Sequence, residues 1–90
     1  MREKISSVDL QRFAQQLSAV NDDLKTQRNG INGKFNDLGQ SWKDPYYQQM
    51  ARLFEECIAN LDGYLKSGDQ FLSFLERKAR RVRAAEDFSY

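Results

Sequence analysis

The side chains that could carry out chemistry in this 90-residue chain are one cysteine and three pairs of adjacent carboxylates. The pairs are Asp22-Asp23, Glu55-Glu56 and Glu86-Asp87. Adjacent residues on a helix point about 100° apart, so these pairs suit solvent contact better than shared acid–base catalysis. Histidine is absent, which removes nucleophile–histidine pairs and histidine-containing zinc sites. We therefore expect no catalytic, cofactor-binding or metal-binding residues, and no enzyme.

Cys57 is the only cysteine, so it cannot form a disulfide within the chain. It falls on the apolar side of a predicted helix, where a buried, unreactive thiol is expected. An intermolecular disulfide is the alternative if Cys57 lies at a symmetric dimer interface.

The strongest charge feature is a run of five cations over residues 77–83: Arg77, Lys78, Arg80, Arg81 and Arg83. Cations in the last turns of a helix complement its dipole without any ligand. The alternatives are the acidic face of a partner protein and the phosphates of a nucleic acid. The run contains no aromatic residue, acidic residues flank it, and the net charge of the chain is only +1. The pattern favours a solvated helix end and no nucleic-acid partner.

Composition and length indicate a single folded domain spanning residues 1–90. Hydrophobic residues make up 40% and charged residues 30%, with one proline, which is typical of a folded helical chain rather than a disordered one. No apolar run is long enough to span a bilayer, so we expect no membrane insertion. The polar amino-terminal stretch does not resemble the apolar centre of a cleaved signal peptide.

A first helix is predicted over residues 7–39 from apolar residues at spacings of three, four and seven. They are Leu10, Phe13, Leu17, Val20, Leu24, Ile31 and Leu38. Ser6 and Asp9 form a pair similar to a capping box at its start. Two glycines leave a turn at residues 29–33 as an alternative. Helical spacing continues through them, which favours one continuous helix.

The junction between two helices is predicted at residues 40–44, because Asp44 suits an N-cap and Pro45 suits the first helical position. A second helix is then expected over residues 45–85, with a frayed tail over residues 86–90. Its apolar residues cover an arc of about 140°, wider than one neighbouring helix would cover. Candidate residues for a dimer or partner interface on this arc are Met50, Phe54, Cys57, Leu61, Leu65, Leu72 and Leu75.

The predicted fold class is all-α, an antiparallel two-helix hairpin. A hairpin of this composition cannot cover the apolar faces of both its helices. Pairing of two hairpins into a four-helix bundle would bury the remainder. We therefore expect a homodimer, or a heterodimer with a related hairpin protein.

Several features resemble the WXG family of type VII secretion substrates, the early-secreted-antigen-like proteins. They are the helix that ends in Leu38-x-x-x-Trp42, the tight turn with Trp42 in its first position, the longer second helix and the overall length. The resemblance implies an antiparallel hairpin that dimerises. It also implies a chain that is cytoplasmic before export and then secreted without a cleaved signal peptide.

The residues around the turn are the candidate recognition motif: Trp42, Asp44, Pro45, Tyr46 and Tyr47. Trp42 either closes the turn end of the hairpin core or, as the resemblance implies, helps to form a cleft recognised by a secretion ATPase. Two adjacent tyrosines cannot both face the core, so one of them is expected at the surface.

Two departures from the family pattern affect what the resemblance implies. The family motif is Trp-x-Gly, and this chain has Trp42-Lys43-Asp44. The family's export signal, Tyr-x-x-x-acid after the second helix, has no tyrosine at the corresponding positions 82 and 83. In the family a heterodimer partner can carry that signal, so this chain could be a co-substrate. The alternatives are a cytosolic adaptor or chaperone and a secretion-apparatus subunit that is not itself exported.

Overall fold

The structure, a computed structural model, describes residues 5–88, which form two long helices and no strand. Helix α1 spans Ser7–Ser41 and helix α2 spans Tyr47–Asp87. The two helices pack side by side along a rod of 71 × 19 × 19 Å. The predicted all-α helical hairpin is therefore confirmed. Within residues 5–88, neither helix is apolar enough over a sufficient length to cross a membrane.

Helix α1 begins at the N-cap that the sequence indicates. Ser6 is extended, and its hydroxyl accepts hydrogen bonds from the backbone N–H groups of Val8 and Asp9, which satisfies two donors that the first helical turn leaves free. The helix then continues through Gly30 and Gly33 without interruption. The alternative of a turn at residues 29–33 is thus excluded. The helix persists because packing of α1 against α2 compensates for the low helix propensity of the two glycines.

The connection between the helices differs in detail from the predicted one. The Asp44 side chain accepts a hydrogen bond of 2.8 Å from the Tyr46 N–H, and the Asp44 carbonyl accepts one from the Tyr47 N–H. Asp44 therefore caps a turn through Pro45 and Tyr46, and α2 begins two residues later than expected. Helix α1 also extends two residues further, to Ser41.

The hairpin is held by one row of side chains on each helix, which we call the seam. On α2 the seam residues follow alternating spacings of four and three, as in an antiparallel coiled coil. They are Tyr47, Ala51, Phe54, Ile58, Leu61, Leu65, Gly68, Leu72, Leu75, Ala79 and Val82, all buried or half-buried. On α1 the seam contains several polar residues, among them Ser7, Asn21, Arg28 and Asn32.

The best-buried part of the seam lies at the open end of the hairpin, far from the turn. Leu10, Ala14, Leu75 and Ala79 form this core, which we call the open-end core. Leu17, Leu72 and Val82 pack against it. Two alanines at facing positions let the helix axes approach closely, so few side chains suffice to exclude water.

The open end is also closed by a polar contact. Ser7 donates two hydrogen bonds to the Glu86 carboxylate, one from its hydroxyl at 2.6 Å and one from its backbone N–H at 3.1 Å. These bonds lower the pKa of Glu86. Residues expected in a frayed tail are therefore helical as far as Asp87, while residues 89 and 90 lie outside the described residues.

Candidate protein interaction surface

One long side of the hairpin is polar and carries the salt bridges between the two helices. Arg28 donates from Nε and Nη2 to the two carboxylate oxygens of Asp62, at 2.8 and 2.9 Å. This bidentate hydrogen bonding raises the pKa of Arg28. Lys25 contacts Asp69 at 2.9 Å on the same side. Both pairs are partly exposed, so each contributes little stability but fixes how the helices align.

The polar side continues towards the open end as a shallow groove. Its walls include Gln11 and Ser18 from α1 and Glu76 and Arg80 from α2. A spacing of seven residues defines one row on α1, formed by Gln11, Ser18 and Lys25. The same spacing defines a row on α2, formed by Asp62, Asp69 and Glu76. These two rows flank the seam of their own helix, and the salt bridge and the groove show that they meet.

The opposite side of the hairpin is apolar. On α1 its residues are Phe13, Val20, Ile31 and Leu38, which fall within about 20° of one another at 100° per residue. On α2 they are Met50, Leu53, Cys57, Tyr64 and Phe71. We call these nine residues the apolar side. The eight large side chains among them are 45–66% exposed, and Cys57 is also exposed.

Antiparallel packing places the two apolar rows next to each other. On each helix, one row of residues flanks the seam on one side and a second row flanks it on the other side. Since the polar rows of α1 and α2 meet on one side, the other flanking rows must meet on the opposite side. The apolar side is therefore one surface built by both helices, and it runs along most of the length of the hairpin.

The predicted interface residues divide between two surfaces. Phe54, Leu61, Leu65, Leu72 and Leu75 belong to the seam, where α1 already covers them. Met50 and Cys57 lie on the apolar side. The expectation of a buried Cys57 thiol is wrong, because the residue stands outside the seam by one position.

Three exposed residues of α2 that the predicted interface omitted also lie on the apolar side: Leu53, Tyr64 and Phe71. A spacing of seven that joins Met50, Cys57, Tyr64 and Phe71 in the sequence could have identified this row. It was hidden because the seam row lies directly beside it and is equally apolar.

Aromatic side chains fill the turn end of the hairpin. The Phe35 ring stacks on Phe54, with centroids 4.2 Å apart, and on Tyr47 at 5.8 Å. Tyr47 also packs over Gly39, where the absence of a Cβ makes room for its ring. Trp42 lies against Tyr47 with a centroid distance of 5.4 Å. Helix α1 therefore ends against an aromatic cluster rather than against aliphatic side chains.

The residues of the candidate recognition motif occupy different environments within this turn. Trp42 and Tyr47 are half-buried, whereas Asp44, Pro45 and Tyr46 are exposed. Tyr46 is 68% exposed. Trp42 packs against Tyr47 at the turn end of the hairpin and remains partly exposed.

The middle of the seam contains a buried polar side chain that lacks a hydrogen-bond partner, in addition to the buried Leu65. Asn21 is 3% exposed, and its Nδ2 has no hydrogen-bond partner among the described residues. Gly68 lies opposite, where a Cβ would come within 3.0 Å of the Asn21 amide. The glycine thus admits a buried polar side chain between two helices that would otherwise be too close.

This arrangement suits contact between surfaces. Among residues 5–88, no three cysteine or carboxylate side chains cluster as metal ligands. The exposed features are an apolar side, an aromatic turn and the run of cations at residues 77–83 of α2. No family model, curated protein or solved structure matches this chain.

Proposed function

We propose that this chain is a protein–protein interaction module that pairs with a second hairpin through the apolar side and forms a four-helix bundle. The partner is a second copy or a related hairpin protein. The observation that carries the proposal is the position of nine exposed apolar residues on one side, with the salt bridges between the helices on the other. Large exposed apolar patches of this kind mark interaction sites.

The size of the apolar side supports pairing. Its nine side chains expose roughly 90 Å² each, or about 800 Å² per hairpin, which is close to the area that each partner contributes to a standard interface. Aromatic residues and methionine, which are enriched at interface centres, provide four of the nine. Contact with a similar hairpin would turn two half-covered helices into a bundle with an apolar centre.

Within that role, we propose a WXG-like substrate or co-substrate of a type VII-like secretion system, cytoplasmic before export. The support is the resemblance around Leu38 and Trp42, together with a hairpin whose first helix ends at this tryptophan. The partly exposed rings of Trp42 and Tyr46 supply a surface for a secretion ATPase. Because the tyrosine export signal is absent from residues 82–87, the co-substrate role requires a partner that carries it.

Pairing is tested by light scattering over a range of protein concentrations. The variant Val20→Ser with Phe71→Ser removes apolar contacts from the apolar side. The matched control, Val8→Ser with Phe88→Ser, makes the same changes at exposed positions elsewhere. We expect the first variant to weaken dimerisation at least tenfold and the control less than threefold. A fully helical wild-type monomer at every concentration would contradict pairing with a second copy.

Export is tested by following the protein in culture medium while a cytosolic marker stays in the cells. We expect the wild type in the medium when the secretion system and the partner hairpin are both present. Trp42→Ala should keep its helicity but lose export. Retention of the wild type under all these conditions would instead support the second candidate, a cytosolic adaptor or chaperone, which the missing Tyr-x-x-x-acid signal favours.

A further inference from the structure

The charges of this chain are unevenly distributed along its length. Residues 77–83 hold five of the 14 basic residues and no acidic residue. The other nine basic residues are outnumbered by all 13 acidic residues, so the rest of the chain has a net charge of −4. A molecule polarised in this way meets a negatively charged surface with residues 77–83 first.

Three of these cations follow an exposed aromatic ring on one face of α2. Phe74, Arg77, Lys78 and Arg81 line one shallow depression on the outer face of α2. Phe88 follows Arg81 by seven residues, on the same face, and is 87% exposed. We call these five residues the basic patch. The run of cations contains no aromatic residue, yet on the helix surface the Phe74 ring lies next to it.

Within the part of the chain that the structure describes, neither acidic side chains nor helix α1 covers the basic patch. Glu76 lines the groove on the polar side, and Glu86 is bonded to Ser7. Among residues 5–88, the three cations of the patch form no salt bridge. The seam of α2, with Leu75, Ala79 and Val82, faces α1 instead. The patch is therefore a solvent-facing surface on which no described carboxylate neutralises the cations.

We propose that the basic patch adsorbs the protein to membrane surfaces rich in anionic phospholipids. Lysine and arginine side chains bind lipid phosphates while their aliphatic stems lie along the apolar boundary. Phenyl rings have no hydrogen-bonding group and enter the boundary between headgroups and acyl chains. Phe74 and Phe88 are separated by 14 residues, about 21 Å along a helix at 1.5 Å per residue.

The geometry favours a lipid surface over a nucleic acid. The patch is one convex helix face with phenyl rings at both ends and cations between them. Lying on a flat bilayer, such a face brings both rings and all three cations to the same depth. Against a DNA duplex, the same rings would face phosphates, which offer no apolar contact. This adsorption is additional to pairing through the apolar side and uses a different set of residues.

The experiment measures cosedimentation of the full chain with vesicles of phosphatidylcholine containing about 30% phosphatidylglycerol, and with vesicles of phosphatidylcholine alone. The patch variant is Arg77→Gln with Lys78→Gln and Arg81→Gln. The matched control is Lys34→Gln with Arg52→Gln and Lys66→Gln, three exposed cations elsewhere with the same change in net charge. A third variant, Phe74→Ser with Phe88→Ser, removes the rings. Helicity is checked for each.

We expect strong binding to the anionic vesicles only. Each cation near the membrane surface contributes roughly fivefold, so the patch variant should lose about a hundredfold and the control far less. Loss of the two rings should weaken binding by at least tenfold at a given salt concentration. Equal losses in patch variant and control would overturn the proposal. Tighter binding to a single-stranded oligonucleotide than to the vesicles would also overturn it and assign the patch to nucleic acid.

Discussion

The open-end core and the middle of the seam use different chemistry to hold the same two helices together. At the open end, Leu10, Ala14, Leu75 and Ala79 exclude water between closely packed helices. In the middle, the buried side chain of Leu65 is accompanied by the buried amide of Asn21 and by two salt bridges that remain partly exposed. The difference indicates that the open end is stabilised by apolar packing, while the polar contacts in the middle determine how the two helices align.

The largest effect is expected from cavity formation in the open-end core. Leu75→Ala should lower the free energy of unfolding by about 2–4 kcal/mol, because a buried leucine leaves a cavity. Leu24→Ala makes the same deletion at a half-buried position in the middle and should cost about half as much. Urea unfolding at one fixed protein concentration measures both. Equal losses would show that the middle is packed as tightly as the core.

A smaller effect of opposite sign is expected in the middle. Asn21→Leu keeps the shape of the side chain and removes a buried amide donor that has no partner. It should raise the free energy of unfolding by about 1–2 kcal/mol. Asn36→Leu, at an exposed position of α1, is the control and should change it by less than about 0.5 kcal/mol. A less stable Asn21→Leu protein would show that the amide is satisfied in solution.

The smallest effect concerns the contact between Ser7 and Glu86. The two hydrogen bonds from Ser7 lower the pKa of Glu86 in the folded protein. A lowered folded-state pKa adds stability above the unfolded-state pKa, and this stability is lost as the pH falls through the folded-state pKa. Melting temperatures measured from neutral to acidic pH should therefore fall less steeply for Glu86→Gln than for the wild type. Glu56→Gln, which removes an exposed carboxylate, is the comparison protein, and an identical effect there would refute the assignment.

Most of the fold could be predicted from the sequence. Ser6 marked the start of α1, and the unbroken helical spacing around Gly30 and Gly33 correctly indicated one helix. Asp44 and Pro45 located the connection to within two residues. These features depend on local chemistry, namely capping, glycine propensity and the fixed φ of proline, which a sequence displays directly.

The division of the apolar residues between two surfaces could not be predicted in the same way. On α1 the predicted apolar stripe divides between the two surfaces: Leu10, Leu17 and Leu24 lie in the seam, whereas Phe13, Val20, Ile31 and Leu38 are exposed. A pattern of hydrophobicity finds apolar rows but does not tell which row faces the partner helix. The packing of α1 against α2 determines which row is buried. It therefore also determines that Cys57 is exposed.

The elongated shape of the hairpin has a consequence for how the molecule moves in water. Its radius of gyration is 20.3 Å, whereas a compact domain of this length would have about 12 Å. A rod of 71 × 19 × 19 Å experiences more friction than a sphere of equal mass and tumbles faster about its long axis than end over end. A single hairpin should therefore elute from a sizing column as though it were heavier than its 10.5 kDa.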